Sequence, residues 1–230
     1  MKNVAHIFFD LDHTIWDFEA NSTETLGEIY DEFGLDELIG NKERFLATYQ
    51  TINAQYWRRY NQGKIDKNTV RYGRFTETLS RFKLNAPEEL GNQIADEYVT
   101  RSPRKTNLFP HAHETLEYLH AKYPLHIITN GFKEVQHIKI GGSKLDKYFD
   151  IILCSEEVGV NKPHRKVFER ALEMAKVDPA NAVMIGDNFD ADIRGAEKAG
   201  LKAIHFDPKG ERQPPHSSVI HSLLDLKDIF

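Results

Sequence analysis

From about residue 103 onward the chain alternates short apolar runs with segments of helical periodicity, and this rhythm restricts the fold more than any other feature. Runs that read as strands lie at Leu125 to Ile128, 150–154, 182–185 and 202–206. Helical segments lie at about 111–122, 132–142, 164–176 and 190–199, with a last helix over Leu223 to Phe230. Strands joined by helical crossovers pair in parallel, with helices packed on the faces of the sheet. The expectation is an α/β protein with a parallel sheet core flanked by helices. The stretch around Gln213-Pro214-Pro215 reads as a surface loop.

Upstream the pattern is different. Ile7-Phe8-Phe9 reads as one buried strand, and residues from about 17 to 100 then offer no convincing strand. Asn21, with Glu24 three residues on, reads as a helix cap. The helix runs through Leu26, Ile29, Tyr30 and Phe33 and stops at Gly34. A second helix carries Phe45, Tyr49, Ile52, Tyr56 and Tyr60, a stripe in steps of three and four. A third begins near Asp66 and carries Val70, Phe75, Leu79 and Phe82, and a fourth opens at Pro87 with Leu90, Ile94 and Tyr98. A strand separated from its sheet by so many helical residues marks them as an insertion. The expected domains are an α/β core from 1–16 and 103–230, and an inserted four-helix domain from 17–102.

Composition removes several classes. A chain of 230 residues with a net charge of -5 gives no support to a broad nucleic-acid surface. No apolar run approaches a membrane span. The start MKNVAHIFFD reaches acid too soon for a signal peptide, so a cytoplasmic location is expected. Cys154 is the single cysteine, which excludes an intrachain disulfide, and its place after Ile151-Ile152-Leu153 reads as packing. The sequence leaves monomer and homodimer open.

Ligands of open parallel sheets bind beyond the carboxyl ends of the strands. The first strand delivers Asp10 and Asp12, two carboxylates on one side of the chain with Leu11 turned away; Thr14 could bond the turning backbone. Such a pair wants a cation or a shared proton, although Asp-x-Asp also caps ordinary turns. The next strand ends in Thr129-Asn130-Gly131, where a hydroxyl and backbone N–H groups at a helix start suit an anion. Alone this is also a common helix cap. The strand ending at Cys154 leads to Asn161-Lys162-Pro163, with Lys162 a mobile positive charge or an ordinary solvated lysine. The fourth leads to Gly186-Asp187-Asn188-Phe189-Asp190-Ala191-Asp192. Asp10, Asp12 and Asp187 offer the hard oxygens that Mg²⁺ prefers. Asp190 and Asp192 could equally be first-turn acids of a helix. The convergence of four strand ends on one sheet edge favours phosphate chemistry over four separate structural accidents.

The motifs FFDLDHTIW, IITNG, GVNKP and GDNFDAD, in that order, resemble those of the haloacid dehalogenase (HAD) superfamily of phosphohydrolases. The resemblance implies a Rossmann-like core, and the insert resembles the helical cap of one subfamily. It implies Asp10 as the nucleophile that becomes an aspartyl phosphate and Asp12 as general acid, then base. Thr129 and Lys162 would hold the phosphoryl group. Mg²⁺ would sit on Asp10, the main-chain oxygen of Asp12 and Asp187, with Asp192 as a further metal acid. True dehalogenases of the superfamily do not need an acid at the position of Asp12, so a phosphatase is favoured.

The opening DLDHTIWDF, the run SEEVGVNKP and the helical insert resemble the branch that contains pyrimidine 5′-nucleotidases acting on noncanonical nucleotides. In that reading the partner is a small phosphate ester, with no nucleic-acid polymer and no membrane. Asn53, Trp57, Tyr60, Arg71 and Arg74 would present ring, amide and guanidinium groups to a nucleoside, beside Asn130 and Gly131. Packing roles for Trp57 and Tyr60, and solvated or bridging roles for the two arginines, stand as the plain alternative. A sugar-phosphate or phosphoglycolate phosphatase is the rival substrate reading, and a phosphosugar mutase or a non-catalytic binding protein the rival classes.

Overall fold

The computed structural model describes residues 3–84, 87–210 and 218–230, so the expected loop at Gln213-Pro214-Pro215 lies outside the described residues. The chain divides into two compact units, Met1–Phe18 with Thr106–Phe230, and Glu19–Lys105. Among the described residues no helix is long and apolar enough to cross a membrane.

The helical unit contains α1 (Phe18–Glu32), α2 (Leu35–Ile39), α3 (Lys42–Asn61), α4 (Arg74–Ser80) and α5 (Pro87–Arg101). Asn21 is not a cap: it lies inside α1, fully buried, and its carbonyl accepts from Thr25 Oγ1 at 2.8 Å. The reason is upstream. The Asp17 amide donates to the carbonyl of Asn107, and the chain turns helical immediately after this tie. Gly34 and Gly40, both at positive φ, bracket α2, a single short turn that was not expected. The third expected helix is capped by Asp66, whose carboxylate accepts from the Thr69 amide, and it runs through a π-helical segment, Thr69–Gly73, into α4. Phe82 lies beyond its end. Leu26, Ile29, Tyr30, Phe45, Tyr49, Phe75, Leu79, Ile94 and Tyr98 form one apolar cluster. The stripes seen in the sequence are thus the core of this unit.

The other unit is built on a six-stranded sheet. Its strands are β1 (His6–Phe9), β2 (Leu125–Thr129), β3 (Phe149–Cys154), β4 (Ala182–Gly186), β5 (Lys202–Phe206) and β6 (Val219–Ile220). They lie in the order β3-β2-β1-β4-β5-β6, every pair parallel. The sheet is covered on both faces, which is why its strands read as continuous apolar runs. Ile7 and Phe9 belong to one apolar cluster and Phe8 to another, as side-chain alternation requires. Helices α6 (Ala112–His120), α7 (Lys133–Gly142) and α10 (Leu226–Ile229) contribute to the first cluster; α8 (Arg165–Ala175) and α9 (Gly195–Lys198) contribute to the second. The expected helix at 190–199 is a π-helical segment, Phe189–Arg194, running into α9.

Because all strands are parallel, the carboxyl ends of β1, β2, β3 and β4 open onto one edge. The first strand sits at the sheet centre, between β2 and β4, where connections leave in opposite directions. That crevice is where such sheets hold ligands.

Candidate active site

The turn after β1 is fixed by its backbone. The Asp10 amide donates to the Ile185 carbonyl at 2.9 Å, and the Leu11 carbonyl accepts from the amides of Ile15 and Trp16 at 3.0 and 2.9 Å. His13 takes positive φ and lies against the Phe18 ring, tilted by 35°. Leu11 is buried in the apolar cluster, so Asp10 and Asp12 are turned away from it. Thr14 does not bond the turn: its Oγ1 is buried without a partner.

The carboxylates gathered around Asp10 are those of Asp187 and Asp192, with one oxygen of each of the three within 4.8 Å of the others. All three residues are buried. Lys162, 1% exposed, reaches Asp10 Oδ1 at 2.8 Å, Asp192 Oδ1 at 2.7 Å and the Ile128 carbonyl at 2.6 Å. An ammonium has three donors, so Lys162 is a fixed charge rather than the mobile or solvated one its sequence suggests. Burial pushes the Asp10 carboxyl well up, with Lys162 opposing and Asp192 and Asp187 adding to the rise. Burial likewise raises Asp192, against the pull of Lys162. Lys162 is held up by these two acids against its own burial.

Asp192 gets there through the π-helical segment. Asn188 Oδ1 caps the Ala191 amide at 3.0 Å, and Asp192 Oδ2 accepts from the Asn188 amide at 3.0 Å. π-Helical turns recur at functional sites because they re-aim a side chain. Gly186 makes room: a Cβ there would come within 2.4 Å of Asp192 Oδ2. Asp190, the other candidate first-turn acid, is exposed and pairs with Arg194.

Asp12 belongs to a second network. Gln136 Nε2 donates to Asp12 Oδ2 at 2.7 Å, and Lys139 Nζ donates to Asp12 Oδ1 at 2.6 Å. Burial would raise the Asp12 carboxyl, but the Lys139 charge and these hydrogen bonds hold it below its ordinary value. Gln136 Nε2 also lies 2.7 Å from Thr129 Oγ1, which accepts from the Gly131 amide at 3.1 Å. With its oxygen so used, the Thr129 hydroxyl keeps its proton to donate.

The expected anion cradle at Asn130 and Gly131 is largely occupied by the protein itself. The Asn130 side chain clamps the Lys162 backbone in both directions, at 3.0 and 2.8 Å. The Gly131 amide serves Thr129, and the Lys133 amide at the start of α7 donates to Glu156 at 2.6 Å. Gly131 admits Gln136 rather than a ligand, since a Cβ would lie 2.2 Å from Gln136 Nε2. Gln136 and Lys139 were missed in the sequence. Their only signal is a pair of polar residues three apart on the helix that follows Thr129-Asn130-Gly131.

The residues expected to meet a nucleoside have partners inside the helical unit. Arg74 is 4% exposed, donates to Asn53 Oδ1 at 2.7 Å, and lies over the rings of Tyr49, Phe75 and Tyr98. Asn53 and Arg74 are thus buried and bonded to each other. Arg71 pairs with Asp96 at 2.8 Å and lies over Tyr72. Trp57 packs edge-on to Tyr60.

The all-parallel sheet thus carries, at its carboxyl edge, a buried lysine bonded to two of three clustered carboxylates. A family model for haloacid dehalogenase-like hydrolases matches residues 4–200. The chain is 30% identical to pyrimidine 5′-nucleotidase YjjG of Escherichia coli over 209 residues, 90% of this chain and 88% of that protein. It is 28% identical to pyrimidine 5′-nucleotidase PynA of Streptococcus pneumoniae, over 96% and 93% of the two chains. The solved structure of the HAD-hydrolase YfnB of Bacillus subtilis, bound to magnesium, superposes with a TM-score of 0.89 at 28% identity over 99% of both chains. Other relatives are named as sugar-phosphate phosphatases. The chain belongs to the haloacid dehalogenase-like hydrolases and is an enzyme of their phosphatase class.

Proposed function

We propose that this protein is a Mg²⁺-dependent phosphomonoesterase that forms an aspartyl phosphate on Asp10 and acts on pyrimidine nucleoside 5′-monophosphates, noncanonical ones included. The observation that carries the chemistry is the set of three buried, clustered carboxylates, two of which, Asp10 and Asp192, bond the same lysine. Those charges leave a net deficit of positive charge in a place that excludes water, and a divalent cation with a preference for oxygen ligands relieves it. Asp10, Asp187 and Asp192, with the main-chain oxygen of Asp12, would hold Mg²⁺. When bound, it would offset charge on the transferring phosphoryl group.

The residues then divide the work. An Asp10 oxygen bonds to phosphorus as the ester P–O bond breaks, and the leaving oxygen takes its electron pair and a proton from Asp12. The resting Asp12 is held as a carboxylate by Lys139, and the arrival of a phosphate anion beside it favours the protonated form. In the second step water attacks phosphorus, Asp12 takes its proton, and the bond to Asp10 breaks to release inorganic phosphate. Thr129 donates its hydroxyl proton to a phosphoryl oxygen, and Lys162 keeps Asp10 aimed. A cytoplasmic setting suits a nucleotide substrate and the lone, buried Cys154.

The nucleotide assignment rests on the likeness to YjjG and PynA, and the likeness to sugar-phosphate phosphatases supplies the second reading. Both are tested by phosphate release from dUMP, UMP, dTMP, purine monophosphates, sugar phosphates and phosphoglycolate, with Mg²⁺ and with EDTA, beside Asp10→Asn. The expected result is metal-dependent release led by the pyrimidine nucleotides and lost in Asp10→Asn. Release led by sugar phosphates would discard the nucleotide and keep the chemistry. Release from none would end the phosphomonoesterase reading.

A further inference from the structure

We propose that Lys139, with Gln136, is a positioning residue that fixes Asp12 for proton transfer and thereby sets how well the enzyme cleaves esters with poor leaving groups. This rests on the phosphomonoesterase reading above.

Each oxygen of Asp12 is held by its own donor, Lys139 Nζ at 2.6 Å and Gln136 Nε2 at 2.7 Å. Positions three apart on a helix share a face, so α7 presents both donors together. Two donors on two oxygens remove the rotational freedom a carboxylate otherwise keeps. Gln136 also bonds Thr129 Oγ1, which ties the orientation of Asp12 to the hydroxyl that meets the phosphoryl group.

The burial is asymmetric. The Lys139 side chain is 6% exposed and that of Asp12 21%. The lysine lies beneath, and the carboxylate is the tip that solvent and substrate reach. Lys139 Nζ also sits 4.3 Å from the Trp16 ring centroid and 5.8 Å from that of Phe18, and among the described residues Asp12 is the acid it pairs with. A buried ion pair contributes little to stability compared with apolar packing of similar volume. Its place here, on one of the two acids at the end of β1, is accounted for by control of that acid.

The consequence concerns bond cleavage. An alkoxide leaving group needs its proton as the P–O bond breaks, whereas p-nitrophenolate leaves without one. Misplacing Asp12 therefore penalises alkyl esters in kcat/KM far more than p-nitrophenyl phosphate. It also slows water attack on the aspartyl phosphate for both esters, because that step again uses Asp12.

The experiment compares kcat/KM on UMP and on p-nitrophenyl phosphate for the wild type, Lys139→Met, Lys139→Gln and Lys139→Arg, in Mg²⁺. A general acid contributes about 10²–10⁴-fold, and loss of its positioning removes part of that. Lys139→Met is expected to lose about 30-fold or more on UMP and at least about tenfold less than this on p-nitrophenyl phosphate. It should also show a burst of nitrophenolate as the intermediate accumulates. Lys139→Arg, which keeps charge and donors, should recover most of the ratio. The ratio of kcat/KM between two esters does not depend on how much enzyme is folded, so partial misfolding leaves the comparison intact. Lys139→Gln, which retains a donor, replaces Lys139→Met if that variant does not fold. Equal losses on both esters would overturn the proposal and leave the phosphomonoesterase reading standing. If sugar phosphates lead the panel above, the best of them takes the place of UMP; a wild type that releases phosphate from no ester of that panel would overturn that reading and this inference with it.

Discussion

At the scale of single residues, the site is organised by charges that burial makes expensive. Lys162 is the sole cation bonded to Asp10 and Asp192 among the described residues. Removing one partner of a buried pair leaves the other charge uncompensated, at a cost of about 3–5 kcal/mol. Lys162→Met should therefore lose about that much stability in urea unfolding without metal, and saturating Mg²⁺ should restore part of it. A variant as stable as the wild type without metal would mean that Asp10 and Asp192 are neutral at rest. Asp10 and Asp187 were legible in the sequence because an acid directly after a buried strand needs a partner. Gln136 and Lys139 were not, because polar residues on a helix are ordinarily solvated and only tertiary packing buries them.

At the scale of elements, β1 and β2 carry a pair of histidines. His6 Nδ1 and His126 Nε2 lie 2.9 Å apart with stacked rings, and His126 also meets the ring of Phe8. Burial, with His6 beside it, pushes His126 from 6.5 down to about 4, and Asp150 opposes the shift. Burial also lowers His6. The unfolded chain then binds a proton that the folded chain refuses between pH 6.5 and about 4. Stability should fall as pH drops through that window. Urea unfolding of the wild type and His126→Phe should diverge on acidification, the wild type losing more; parallel curves would remove His126 from the account. The strands and long helices were legible because their periodicity spans many residues. The two-residue β6, the single turn α2 and the π-helical segments were not: each is too short, or too locally irregular, to leave a repeat.

At the scale of the whole molecule, the sheet unit holds every side chain proposed to bind metal, and all lie on strand ends or the segments that follow them. A ligand that binds only the folded state stabilises it by about 2.7 kcal/mol at one hundred times its Kd. Mg²⁺ should raise the thermal unfolding midpoint, EDTA should reverse the shift, and Asp187→Asn should abolish it. An unshifted midpoint at saturating Mg²⁺ would remove the metal site. The sequence by itself determined the α/β class and the edge of the sheet where acids collect, because periodicity and order along the chain fix which faces are apolar and which ends are shared. Only the tertiary structure decided which acids meet. Asp192 joins Asp10, while Asp12 is drawn to a helix more than 120 residues away. Arg74 donates to Asn53 within the helical unit. Local pattern states that a side chain is polar and on which face it lies; its partner depends on strand register and on what burial leaves within bonding distance.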